Sequence, residues 1–141
     1  MANKYGKDIK VKIRTTAGPT PVFTPIGGEL SHSFRRSSQE VDLSDKDSGT
    51  YGGQSYGQQK ITISVNGNVK LPDVGLQKVH TVAKSGTPEE VIQIVDGATV
   101  IFEGLCGIGN FSSDRNKDGP VTYSFDASNI GAPATDDLGA A

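Results

Sequence analysis

Between residues 8 and 14 the chain alternates charged and apolar positions. Ile9, Val11 and Ile13 fall on one side of an extended backbone, and Lys10, Lys12 and Arg14 on the other. A period of two marks a strand buried on one face, here with a basic outer face. Residues 60–65 repeat the pattern most cleanly, with Ile61, Ile63 and Val65 inward and Thr62 and Ser64 outward. Alternation at 29–34 and again at 39–43 predicts two further strands. Residues 22–26 predict a short extended piece that its prolines push toward a sheet edge. Three more strands are expected at 90–95, at 99–106 (continuing toward Phe111) and at 120–127. Asp96-Gly97 and Asn116 to Gly119 are turn signals between them, and Asn66-Gly67 suits a tight turn or a bulge. Only residues 71–84 have helical spacing. Asp73 is placed to cap that segment, Val74, Leu76, Val79 and Val82 form the apolar stripe, Gly75 weakens it, and Ser85-Gly86 ends it.

These elements predict a mainly β fold: a β-sandwich or open barrel of about seven or eight strands with one flanking α-helix. At 141 residues the chain fits a single domain over 1–141. Three segments stand apart from the strand pattern. Residues 1–7 read as a polar N-terminal arm. Residues 128–141 read as a small, polar C-terminal tail, mobile until something docks it. Residues 44–59 form a long loop with four glycines, three serines, two tyrosines and no aliphatic residue. A loop of this length in a small domain is functional or disordered. It reads here as an assembly loop ordered against a neighbour, with Tyr51 and Tyr56 as anchors, because tyrosine joins a large contact area to a polar tip.

Charge changes the picture through its distribution. The net charge is −2. Yet the first 40 residues hold seven bases against three acids, and the remainder holds thirteen acids against seven bases. Such asymmetry suits a basic N-terminal part meeting acidic surface on another copy, and equally a mixed solvated surface. The chain lacks the clustered Lys and Arg of a nucleic-acid wrapper. The single cysteine, Cys106, excludes an intrachain disulfide and fits a reducing compartment. No apolar run is long enough for a membrane-spanning helix, and no secretion signal is expected at the N-terminus.

Candidate chemistry is sparse. Asp114, Asn116, Asp118 and Gly119 match the first half of a calcium loop, but the twelfth position, which needs a bidentate Glu, is Phe125. A hairpin turn uses the same residues. His32 and His80, the only histidines, have no metal-ligand spacing with other candidates. No G-x-S-x-G elbow accompanies them. Gly107 and Gly109 lack the third glycine of a dinucleotide-binding loop. Cys106 lies in an apolar strand and reads as a small core residue. The reading is therefore a non-enzyme with no catalytic residues, cofactor or metal.

One segment carries a family resemblance. Val41-Asp42-Leu43-Ser44, then Ser48-Gly49-Thr50-Tyr51, then Lys60-Ile61-Thr62-Ile63-Ser64-Val65-Asn66-Gly67 resemble a pattern of the siphophage major tail protein family. That family comprises the TP901-1-like tail tube proteins and related gene transfer agent tail proteins. The opening Gly6-Lys7-Asp8-Ile9-Lys10-Val11-Lys12-Ile13 resembles the family's opening as well, and the element order after Asp73 agrees. Family members often carry Trp in the loop; this chain has none, and Tyr51 stands at the comparable place.

The resemblance implies a virion structural protein, assembled in the bacterial host cytoplasm. Its subunits would self-assemble into hexameric rings stacked as a hollow conduit for DNA delivery. Its partners would be other copies, a tape measure protein, and the tail terminator and tail tip proteins, with genome DNA passing through without specific binding. Under this reading Ser48, Gly49, Tyr51, Tyr56, Lys10, Lys12 and Arg14 are expected at ring or stacking interfaces. Asp42, Asp45, Asp47, Glu103 and Asp126 are expected toward the lumen or at ring contacts. A tail terminator, a baseplate or secretion tube, or a β-sandwich binding module are the alternatives. The last would want exposed aromatics, and this chain has nine aromatics and no Trp.

Overall fold

The computed structural model describes residues 6–16, 18–43, 49 and 51–137. After a 3-10 turn at Gly6–Asp8, the strands are β1 (Ile9–Thr16), β2 (Val22–Pro25), β3 (Glu29–Asp42) and β4 (Gln54–Asn68). The helix α1 (Val74–Ala83) comes next. Then follow β5 (Glu89–Asp96), β6 (Thr99–Asp114), β7 (Thr122–Asn129) and the two-residue β8 (Thr135–Asp136). All pair antiparallel in one sheet of order β2-β1-β5-β6-β7-β4-β3, with β8 joined to β6 beyond the end of β7.

The alternation read from the sequence sets the inner face. Val11 lies opposite Ile94 and Ile13 opposite Ile92, while Ile63 lies opposite Ala127 and Val65 opposite Phe125. All of these are buried in one core with Phe102, Cys106 and Ile108. The sheet curls around that core. Phe34 on β3 meets Phe102 on β6 edge to face, ring centroids 5.6 Å apart, although β4 and β7 separate these strands in the sheet. The Val11 N–H also reaches Glu29 Oε2 of β3 at 3.5 Å. The architecture is an open barrel with α1 at one end, where Leu76, Val79 and Val82 join the core. Burying each such side chain is worth ~1.5–3 kcal/mol. Asp73 caps α1 as expected, its Oδ1 accepting from the Gly75 and Leu76 N–H groups.

Three expected boundaries differ. The two strands expected at 29–34 and 39–43 are one 14-residue strand, interrupted by a register shift between Ser38 and Glu40. Residues 54–59, expected within the long loop, are strand: they pair with β3 through Asp42–Gln54, Val41–Ser55, Glu40–Tyr56 and Ser38–Gln59. These positions are exposed on both faces, so no apolar period marks them. The tail also docks on its own chain as far as it is described. Ala134 and Asp137 N–H groups donate to the Glu103 and Ile101 carbonyls, both at 2.7 Å, and Arg36 pairs with Asp136.

Candidate functional site

The feature that stands out is the outer half of the β3–β4 hairpin. β7 supports β4 only from Thr62 onward, with Asn129 Oδ1 taking the Ile61 N–H at 2.7 Å. Beyond Ser37 and Lys60, no third strand among the described residues pairs with β3 or β4. At ~3.3 Å per residue, β4 runs about 20 Å from Lys60 to Gln54. The ladder continues past Asp42, where the Leu43 N–H donates to the Gly53 carbonyl at 2.9 Å. This arm displays Val41, Leu43, Tyr56 and, at 87 % exposure, Tyr51. A bare two-stranded hairpin is marginal in water. Apolar side chains grouped on one are a surface made to be covered.

The second feature is the outer face of the sheet. Lys10 and Lys12 of β1 stand opposite Val95 and Gln93 of β5, and Gln93 donates to Glu103 of β6 at 2.9 Å. The same face continues across β7 and β4. There Asp126 accepts from Ser64 Oγ at 2.8 Å and Asn110 Nδ2 at 3.1 Å, and Ser112 meets Ser124 at 2.6 Å. The register thus brings Lys10, Lys12, Glu103 and Asp126 to one polar face rich in hydroxyls. Arg14 makes an ion pair within its own chain. Its Nε donates to Glu90 Oε1 of its own chain at 2.7 Å, and Glu90 also holds Lys78 at 3.6 Å.

Neither feature contains catalytic geometry. His32 Nδ1 meets Glu29 Oε1 at 2.6 Å, but the neighbouring Ser31 and Ser33 point to the opposite side of β3, where Ser31 donates to Asn66 at 3.0 Å. Burial pushes the Cys106 thiol up to about 11, which keeps it protonated and inert. Asn116 and Gly119 form a turn between β6 and β7. Among the described residues no cluster of His, Cys, Asp and Glu is fit to hold a metal ion, and no helix is long and apolar enough to cross a membrane.

A curled antiparallel sheet, one capping helix and a projecting hairpin agree with the family resemblance, and the family model for phage tail tube proteins matches residues 3–135. The chain belongs to the phage tail tube protein family. It is a structural subunit of a tail tube, not an enzyme. Solved structures share the fold of this tail tube protein. A chain of the tail of an empty gene transfer agent (GTA) particle, refined helically with C6 symmetry, aligns with TM-score 0.75 at 19% identity, over 94% of this chain and 98% of that one. A chain of the native gene transfer agent virion gives 0.77 at 19% identity, over 93% and 97%. The SPP1 tail tube gives 0.74 at 16% identity, over 95% and 81%. No curated protein matches by sequence.

Within this tail tube protein, the expected interface residues fall into separate places. Gly49, Tyr51, Tyr56 and Asp42 belong to the arm and its tip, Lys10, Lys12, Glu103 and Asp126 to the outer face. Ser48, Asp45 and Asp47 lie outside the described residues. Sequence reasoning missed Val41 and Leu43 as arm contacts: they fall in the strand expected at 39–43, but its partner at 54–59 carries no apolar period to show that the two form an exposed hairpin. It also missed a groove beside α1, whose walls come from segments distant in the chain.

Proposed function

We propose that this tail tube protein closes into six-membered rings that stack into a hollow tube conducting DNA, and that the β3–β4 arm bridges one ring to the next. The arm carries this reading: about 20 Å of two-stranded hairpin at strand spacing, with exposed apolar side chains and no third strand beside it among the described residues. The C6 symmetry of the gene transfer agent tail supports six copies per ring. Rings remove free sheet edges by pairing them between copies, and a head-to-tail contact lets rings stack without limit.

In this assembly the outer face bearing Glu103 and Asp126 lines the lumen. Its carboxylates repel phosphate, and its hydroxyls offer no fixed positive charge to retain DNA. Asp42 goes with the arm. Lys10 and Lys12 meet acids of an adjacent copy at the edge of the same face. The tube belongs to the virion and forms in the host cytoplasm around a tape measure protein, between terminator and tip proteins.

The test is negative-stain electron microscopy across a concentration series, of the unaltered chain and of a Tyr51→Ser, Tyr56→Ser variant. Both sites are exposed, so the variant should unfold at the same temperature. Hollow tubes from the first and isolated rings or monomers from the second are expected. Equal tubes from both would refute the bridging role of the arm.

A further inference from the structure

A groove of about 800 Å³ runs between α1 and the ends of β6 and β7, in the size range of formed binding clefts. Its floor is apolar: Leu71, Leu76, Phe111 and Val121. His80 lies over Phe111 with ring centroids 5.3 Å apart, and Arg115 stands at the margin. Exposed Lys70 sits between the lining residues Val69 and Leu71, as exposed Asp114 does between Ser113 and Arg115; no carboxylate lines the groove itself among the described residues.

Strand direction places this groove relative to the arm. β4 begins at Gln54 next to the arm tip and ends at Asn68. Val69 follows directly and bonds Val121 at the groove, N to O, at 2.8 Å. The 15 residues of β4 therefore separate tip from groove by about 50 Å at strand spacing. Tip and groove lie at opposite ends of the molecule, and one chain cannot fill its own groove with its own tip.

We propose that the groove beside α1 receives the arm tip of a second copy, head to tail. This rests on the bridging role of the arm and names the receiving surface. Two complementarities support it. The tip offers exposed Leu43 and Tyr51 to an apolar, aromatic floor, where a tyrosine contributes area with little ordering entropy. Glu40 and Asp42 of the arm are acidic, and the groove lining bears Arg115 and no carboxylate among the described residues. One tip and one groove at opposite ends make a heterologous contact. Such a contact propagates as an open stack, whereas a two-fold pairing would stop at a dimer.

The experiment mixes two chains with one added cysteine each, Gln54→Cys at the tip and Thr81→Cys at the groove, both exposed sites, with a short bismaleimide after assembly. Cys106 is fully buried and stays silent. Covalent dimers from the mixture, and none from either chain alone, are expected. Tubes without mixed dimers would overturn the groove as receiver while leaving the bridging arm intact. Failure of the unaltered chain to form tubes would overturn the bridging reading, and this inference with it. An Arg115→Glu variant, with its charge reversed at an exposed position, should raise the protein concentration needed for stacking about tenfold, equivalent to ~1.4 kcal/mol. An unchanged threshold would count against the docking.

Discussion

Gly75 in the first turn of α1 rests against the Pro25 carbonyl at the end of β2, so closely that a Cβ would overlap the carbonyl oxygen. A glycine lowers helix propensity by about 1 kcal/mol relative to alanine, and by sequence it is a defect in the helix. In the fold it lets α1 lie flat on the strand edge and bury Leu76 and Val79. Gly75→Ala should therefore destabilise the monomer by ~1–3 kcal/mol through overpacking, against the gain that propensity alone predicts. Chemical denaturation of both chains decides between the two signs.

The arm should be the least protected strand pair of the free subunit. Amides of 38–42 and 54–60 have no third strand beside them among the described residues, and none of these residues is buried, so hydrogen exchange there should be much faster than in β5 or β7. After assembly the same amides should slow sharply. Exchange that is equally fast in tubes and monomers would show that the arm stays uncovered.

Asn110 adopts φ +56° at the irregular step of β6, and its Nδ2 holds Asp126. Asparagine tolerates this left-handed backbone, but a β-branched residue does not. Asn110→Val should cost ~1–2 kcal/mol in thermal or chemical denaturation. Asn110→Gly should retain the backbone and lose only the side-chain bond, giving a smaller loss.

Alkaline conditions should weaken the fold. Burial raises the Cys106 thiol from 9.0 to about 11. Burial first, then the charges of Glu29 and Asp73, raise the Tyr123 hydroxyl as well. The unfolded chain releases these protons at lower pH than the folded chain does. Their contribution is fully present below about pH 9 and declines as pH climbs toward 11. Denaturation midpoints should fall across that window, and Cys106→Ala should flatten part of the decline while lowering stability at every pH through its small cavity.

The Arg36–Asp136 pair ties β8 to the hairpin, with the Arg36 guanidinium 5.8 Å from the Phe34 ring centroid. As a partly exposed pair it contributes at most ~1 kcal/mol. Asp136→Ala should leave the melting temperature nearly unchanged while speeding proteolysis near residues 130–137. Equal cleavage rates would show that the backbone bonds of β8 alone hold the tail.

The sequence by itself determined the strands that bury one face. Val11 and Ile13, Ile61 to Val65, and Tyr123 to Ala127 each alternate because a pleated backbone sends successive side chains to opposite sides, and only one side meets the core. It also determined the capped helix at Asp73 and, through short motifs, the family. Tertiary structure decided the rest. The arm strands at 54–59 leave no period because both faces are wet, and pairing with residues 38–42 makes them strands. Arg14 went to Glu90, and Lys10 joined Asp126 on one face, by register between segments far apart in the chain. The groove beside α1 exists only because the Val69–Val121 bond and the Phe111 ring bring three such segments together. Local propensity acts between neighbours along the chain, whereas surfaces that dock another copy are made by neighbours in space.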